Sequence, residues 1–435
     1  MTLQHLIVIG AGPKAVSIAA KLEALNRSGF TVPKLTVLDP NGVAANWAGE
    51  ILEYTNGRQD LATPPLKDVG FPYRSQAWGI SNERVNSEML SFGWQAYLVT
   101  DPRRGSEDFS SWVDRGMHNP SLKQWAKYLS WVANEAQFPI DKRRVIKIGI
   151  SGRLWDLTVV EESATNQGGS ISGAEDHVLG DGLVITGPGP ITPISGYDDS
   201  RHPPTITDAK NFWQHLNRIA SARRQVIGVI GSGGAAASVV STLLKSTRGN
   251  FLIQLITPDG VIYSRGESYD ENRHYSDPQA WEEFGADSRT KFLEHTAAGV
   301  FSLADKRVMD VAPNLDTIAG SVSRVTFINH DKGAMVYLKG ARRKHYDKIV
   351  VAWGFDAMDW QNLLDGTAMD RIAAALHGPI EREAIKDRIG NHLEIEGLAP
   401  WLHLPMLADK KGPGFVGLMC LGLLSDRILE AYVFP

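Results

Sequence analysis

Two glycine-rich turns, each set between an apolar strand and a helix of small residues, constrain this chain more than any other feature. The first runs Leu6-Ile7-Val8-Ile9-Gly10-Ala11-Gly12-Pro13-Lys14-Ala15, and the second Val226-Ile227-Gly228-Val229-Ile230-Gly231-Ser232-Gly233-Gly234-Ala235-Ala236. Both fit G-x-G-x-x-A. In that pattern the first glycine makes the strand-to-helix turn, the second lets backbone approach a pyrophosphate, and the alanine keeps helix and strand close. The helix N-terminus then faces the phosphates with free N–H groups. Gly10, Gly12, Pro13 and Lys14 would form one cradle, and Gly231, Ser232, Gly233 and Ala236 the other. Two cradles imply two dinucleotides, and the expected fold class is α/β with two Rossmann-like dinucleotide-binding domains.

Organisation along the chain agrees with that reading. Ala15 to Leu25 reads as an alanine-rich helix, and Lys34 to Leu38 as a strand ending in Asp39-Pro40. An acidic residue there accepts hydrogen bonds from ribose hydroxyls, so Asp39 is a cofactor candidate. Residues 56–104 lose periodicity and gather Pro, Gly and aromatics, as expected of loops lining a pocket. Leu122, Trp125, Tyr128, Leu129, Trp131 and Val132 recur at near-helical spacing and read as a core-facing stripe. A flexible hairpin tip is expected at 163–174, then a buried strand into Thr186-Gly187-Pro188, then a linker over 190–204. The expected division is 1–200 for the first domain, 205–345 for the second, and 346–435 for a return to the first, with the strand Lys348 to Ala352 leading back.

Composition removes several function classes. In 435 residues the net charge is −4, so there is no basic field for nucleic acid and no polybasic tail for lipid. Cys420 is the only cysteine, which rules out an internal disulfide, a cysteine-rich metal site and a dithiol redox centre, and makes a reducing cytoplasm the expected setting. Histidines such as His202, His274 and His345 have no ligand spacing, so no metal is expected. The apolar N-terminal stretch is interrupted by Lys14 and is explained by the glycine turn rather than by a signal peptide. No apolar run approaches the roughly 18 residues of a membrane span. What remains is hydride transfer from a nicotinamide to a tightly held flavin.

Several longer motifs then carry a resemblance. They are Lys67-Asp68-Val69-Gly70-Phe71-Pro72-Tyr73-Arg74-Ser75, Trp112-Val113-Asp114-Arg115-Gly116, Thr186-Gly187-Pro188-Gly189, Arg265-Gly266-Glu267, Tyr275-Ser276-Asp277-Pro278, Gly299-Val300-Phe301-Ser302 and Cys420-Leu421-Gly422-Leu423-Leu424-Ser425-Asp426-Arg427. The chain resembles the flavin-dependent N-hydroxylating monooxygenases that act on ornithine or lysine in siderophore biosynthesis, and most of all the mycobactin-type lysine N6-hydroxylases. The resemblance implies an NADPH domain inserted into an FAD domain. It implies FAD reduced by NADPH, reaction with O2 to a C4a-hydroperoxide, and oxygen transfer to a neutral primary amine. It places Lys67 and Asn272 at the amino-acid head group, Ser425 near the amine end, Trp47 beside the flavin, and Thr186 and Gly187 in the FAD site. A homo-oligomer is also implied. Trp47 and Ser425 are the only flavin-proximal catalytic candidates, and Trp47 also suits a core position while Ser425 also suits a helix N-cap. Because the amine must be neutral to react, activity is expected to rise with pH toward a lysine amine's value of about 10.4.

Departures from the family pattern bear on selection. Ala62 stands where ornithine-type members carry Gln, and Ala297 where they carry an Asn near the side-chain amine. Both favour a longer diamine such as lysine, with ornithine or another primary amine as the alternative. Thr257 at the end of the second domain's Leu252 to Ile256 strand lacks the acid of an NAD site, which favours NADPH; Pro258 occupies the place of a family Arg, so NADH stays possible and Arg265 or Arg248 stands as the replacement. Trp353 replaces a usual Thr in the turn after Ala352. The competing readings are an uncoupled NAD(P)H-flavin oxidase and a non-catalytic dinucleotide-binding regulator.

Overall fold

The computed structural model describes residues 4–100, 108–161, 174–192, 205–221, 223–246, 250–265, 268–296, 300–329 and 332–433. The hairpin tip expected at 163–174 (Ala174 excepted), residues 193–204 of the linker, His202, Arg248, Gly266, Glu267, Ala297 and Gly299 lie outside them.

Five parallel strands form a first sheet in the order Trp401–His403, Gly182–Ile185, His5–Ile9, Lys34–Leu38, Ile140–Asp141. Leu6, Ile7 and Val8 of the central strand are fully buried, as a strand covered on both faces requires. The helix Pro13–Arg27 follows, with Gly12 as N-cap and Pro13 in the first turn, where the missing N–H costs nothing. Ala15, Ala19, Ala20 and Ala24 on this helix let its backbone approach its neighbours. An antiparallel sheet of Arg143–Ser151, Leu154–Glu161 and Asp176–Gly180 branches from this unit.

A second parallel sheet has the order Leu315–Ala319, Asn250–Thr257, Arg223–Ile230, Lys348–Val351, Ile206–Asp208. The unit is inserted in sequence between the Gly182–Ile185 and Trp401–His403 strands of the first sheet. Lys348–Val351 corrects one expectation. Instead of leading back to the first domain, it pairs with Arg223–Ile230 on one side and Ile206–Asp208 on the other. The return comes just after it, where Ile191 and Phe355 bridge and the Thr192 N–H donates to Gly354 O at 3.1 Å. Trp353 belongs to this crossing, since its indole donates to Thr192 O at 3.0 Å. The outgoing and returning strands of chain are therefore tied to each other where they pass between the two sheets.

Residues 56–104 are also more ordered than their composition suggests. They contain the helices Asn82–Leu90 and Trp94–Thr100, each too short for its few apolar residues, Val85 and Met89 or Trp94, Tyr97 and Leu98, to register as a period. Both pack into an aromatic core with the helix Leu122–Glu135. Trp94 meets Tyr128 edge-on at 5.5 Å, and Trp125, Tyr128, Leu129 and Val132 are fully buried, so the stripe is core.

Candidate active site

The first glycine turn opens onto a cavity of about 470 Å³. Gly10 has φ +94°, and a Cβ there would lie 2.8 Å from Thr186 Oγ1. That contact is what the glycine permits: the Thr186 hydroxyl donates to Ile9 O at 2.9 Å and locks the first strand's end to its neighbour. Gly12 differs. A Cβ there would meet nothing within 4 Å, because Gly12 faces the cavity. Asp39 is oriented by the Ala11 N–H at 2.9 Å on one oxygen and the Asn41 N–H at 2.9 Å on the other. Its carboxylate lines the cavity, with lone pairs left for ribose hydroxyls. Gly12 and Pro13 at the helix N-terminus line the same cavity, and Trp47, Tyr54, Phe355, Met406, Val416 and Leu418 add apolar and aromatic wall to it. A phosphate cradle, a ribose acceptor and an apolar, aromatic wall in one cavity fit an FAD. Trp47 is half-buried, lines this cavity and packs on the aromatic core.

The second turn repeats the design. Gly231, at φ +138°, has its missing Cβ directed at Ala352 O, 2.2 Å away, and Ala236 is fully buried against the sheet. Gly233 and Gly234 have nothing within 4 Å of a Cβ and line a cavity of about 660 Å³. Ser238, Ser241, Thr242, Lys245, Arg265 and Ala62 share that lining. Free N–H groups at the start of the helix Gly234–Lys245, with hydroxyls along it and the Lys245 and Arg265 cations in the same lining, fit a second pyrophosphate. Ser232 is in the turn but lines neither cavity. Arg265 lies over the Tyr275 ring at 5.1 Å. Gly234 and Ser238 line both cavities, which makes the two sites neighbours across one helix face.

Lys67 and Asn272 come from distant segments of the chain and meet, the Lys67 ammonium donating to Asn272 Oδ1 at 2.6 Å. Lys67 is buried, and its Nζ lies 3.8 Å from Met419 Sδ, one residue beyond the cavity-lining Leu418. The position of Lys67 is set by the residue after it. Asp68 accepts the Tyr73 hydroxyl at 2.7 Å, the Trp94 N–H at 2.8 Å and the Gly70 N–H at 3.1 Å, which pins the loop. Burial raises the Asp68 carboxyl to about 6 against the pull of those donors.

Ser425 is fully buried in the helix Leu421–Leu429, and its hydroxyl donates to Gly422 O at 2.8 Å. It lies inside the helix, so it is not the N-cap, and it lines neither of these cavities. The neighbouring Asp426 anchors the helix: Lys21 Nζ reaches it at 2.7 Å and the Trp78 indole donates to it at 2.9 Å, all three buried.

Sequence reasoning missed much of the cavity wall. Tyr54 and Phe355 pack at 5.5 Å across it. Gln59, donating to Thr242 Oγ1 at 3.1 Å, joins the loop to the second glycine helix. These residues come from far-apart segments without a motif of their own; the only available signal was the aromatic and polar density of the 54–74 stretch.

The profile of the L-lysine 6-monooxygenase/L-ornithine 5-monooxygenase family matches residues 90–301. The chain is similar to the L-lysine N6-monooxygenase MbtG of Mycobacterium sp. (strain MCS), at 34% identity over 98% of this chain and 94% of the relative. Among solved structures it is similar to the lysine monooxygenase NbtG from Nocardia farcinica, with TM-score 0.80 and 30% identity over 98% of each chain. It shares the fold of the Kutzneria sp. 744 ornithine N-hydroxylase KtzI, with TM-score 0.72 and 16% identity over 99% of each. The cradles, their shared helix face and these full-length likenesses agree: the chain belongs to the L-lysine 6-monooxygenase/L-ornithine 5-monooxygenase family of FAD- and NADPH-dependent N-hydroxylating enzymes.

Proposed function

We propose that this enzyme hydroxylates the side-chain amine of L-lysine with NADPH and O2, yielding N6-hydroxylysine for siderophore assembly. The observation that carries the choice of an amino acid is the partly buried Lys67 to Asn272 contact, 2.6 Å long and beside Met419, which follows the cavity-lining Leu418. An ammonium there opposes a substrate carboxylate, and the amide can exchange its bond to Lys67 for one to the α-amino group. The lysine N6-monooxygenase relatives support lysine over ornithine; Ala62 lines the second cavity rather than the Lys67 to Asn272 contact.

When bound, FAD supplies the electron relay and oxygen activation. The chain supplies placement. Gly12 and the N–H groups after it hold the pyrophosphate, Asp39 the ribose, and the aromatic walls of Trp47, Tyr54 and Phe355 exclude water. Gly233, Gly234 and Ser238 hold the second nucleotide on the helix face common to both cavities, so that nicotinamide and flavin rings can meet. Lys67 and Asn272 fix the head group, leaving the side chain to extend toward the flavin end. This reading includes the division of the chain into an FAD unit and an inserted NADPH unit that begins near 205 and runs through Val351. It also includes a cytoplasmic, homo-oligomeric enzyme.

Purified protein loaded with FAD tests the reading. NADPH oxidation, peroxide and hydroxylamine are followed with lysine, ornithine and other diamines. Hydroxylamine formed fastest from lysine supports it; preference for ornithine or another amine replaces the substrate, and peroxide alone replaces the reaction.

A further inference from the structure

Asp68 is 3% exposed, and the groups its carboxylate meets are donors: the Tyr73 hydroxyl and the Gly70 N–H on Oδ1, the Trp94 N–H on Oδ2. A carboxylate accepts on both oxygens. An amide in its place would set its NH2 against one of the two backbone N–H groups, which cannot turn round to accept. A protonated carboxyl accepts only weakly on the oxygen that carries the proton. The packing leaves no room for a substitute partner, since a Cβ on Gly93 would lie 2.8 Å from the Tyr73 hydroxyl and 3.1 Å from Asp68 Oδ2.

The backbone that Asp68 gathers is tied on its other sides to the surroundings of the Lys67 ammonium. Ser17 Oγ, on the helix Pro13–Arg27, lies 2.7 Å from Val69 O and 2.8 Å from Leu421 O. The Gly422 N–H donates to Phe71 O at 2.8 Å. Met419, whose Sδ is 3.8 Å from Lys67 Nζ, stands just before that segment. The peptides after Asp68 therefore link the backbone of Lys67 to the chain that its ammonium reaches.

We propose that Asp68 is a positioning residue for substrate: its ionised carboxylate holds Lys67 in place against Asn272 and Met419, so that the amino-acid head group binds tightly when Asp68 is charged and weakly when it is neutral. This role rests on the reading of Lys67 and Asn272 as the head-group site. Burial raises Asp68 to about 6 against the pull of its donors. Tyr73 and Tyr128, which face it, are pushed above their ordinary value by burial and stay neutral through that range. Lys21, on the helix that carries Ser17, is paired with Asp426, and Lys67 itself reaches Asn272. His274 shares the helix Tyr269–Ser276 with Asn272 and stacks on Phe284 at 3.8 Å.

L-norleucine is the probe, because it carries the head group of lysine without the side-chain amine. Its dissociation constant from FAD-loaded protein is measured by calorimetric titration between pH 5 and 7.5. Unsubstituted protein should bind it about tenfold more weakly at pH 5 than at pH 7, the ratio set by a group titrating at about 6. Asp68→Asn should bind about tenfold more weakly at pH 7 and show no further loss down to pH 5. Tyr73→Phe removes a donor that favours the charged form, so its profile should keep the slope with a midpoint at higher pH. It carries the comparison if Asp68→Asn does not fold. A flat profile in unsubstituted protein overturns the proposal. So does an unchanged slope in Asp68→Asn, which would assign the titration to another group such as His274, and so does an unmoved midpoint in Tyr73→Phe. If Lys67→Ala binds norleucine as tightly as unsubstituted protein, the reading of the head-group site fails instead.

Discussion

Lys67 and Asn272 are 205 residues apart in sequence and share a hydrogen bond of 2.6 Å. The contact brings together the two residues proposed above to hold the amino-acid head group. A substrate carboxylate arriving there meets a buried cation whose loop is held rigid by Asp68, Tyr73 and Trp94. Lys67→Ala should raise the apparent KM for lysine about 10- to 100-fold, the range for losing one charged hydrogen bond. Flavin reduction by NADPH should be little affected. Steady-state kinetics with a parallel anaerobic reduction check both parts, and an unchanged KM removes Lys67 from the site.

Gly10 and Gly12 are chemically identical and structurally opposite. Gly10→Ala sets a Cβ 2.8 Å from Thr186 Oγ1 at φ +94°, and should cost about 1–3 kcal/mol of apoprotein stability. Gly12→Ala has open space and ordinary backbone angles, φ −82° and ψ −172°, so the apoprotein should unfold within about 1 kcal/mol of the unsubstituted one. Its FAD affinity should nevertheless fall at least about tenfold, because the added methyl takes phosphate space. Denaturant unfolding and FAD titration separate the two effects.

The ion pair Lys21–Asp426, 2.7 Å long and buried on both sides, joins the first glycine helix to the C-terminal helix. Lys21→Met leaves Asp426 buried without its cation and should destabilise by about 3–5 kcal/mol. Replacing both, Lys21→Met with Asp426→Leu, should recover a large part of that loss. A urea series on the three proteins checks this; additive losses would contradict it.

His403 couples stability to pH. Its ring is fully buried between His392 O at 2.7 Å and the Tyr432 hydroxyl at 2.6 Å, and burial lowers its pKa to about 4. A histidine whose folded pKa lies below its unfolded value of about 6.5 contributes stability that is present above pH 6.5 and lost as pH falls toward 4, here about 3 kcal/mol. His403→Gln should flatten the stability profile across that window, whatever its effect at neutral pH. Unfolding midpoints measured from pH 7 to 4 decide it, and parallel profiles would reject the assignment.

The parts of this molecule that obey a short-range rule were legible in its residues. Both glycine turns are local, so their strand, turn and helix were readable, and Asp39 followed from its place after the next strand. The Lys67 and Asn272 pairing was legible only through family resemblance, because nothing in local spacing joins positions 67 and 272. Lys348–Val351 went to the wrong sheet because Ile349, Val350 and Val351 suit any strand buried on both faces, and sheet membership is settled by long-range pairing. Ser425 looked like a cap because a hydroxyl precedes an apolar run. The helix in fact begins four residues earlier at Leu421, where Cys420 is the N-cap without a side-chain bond. Lys14 was readable as a cradle residue, but its reach to Val416 depends on a chain segment some four hundred residues away.

The central claim is that the two cradles bring hydride donor and flavin together and that the captured oxygen goes to a lysine amine. The ratio of N6-hydroxylysine formed to NADPH consumed, measured with FAD-loaded protein and saturating lysine, tests it most directly. A ratio near unity with little peroxide is expected. NADPH consumed with peroxide as the product and no hydroxylamine would contradict it.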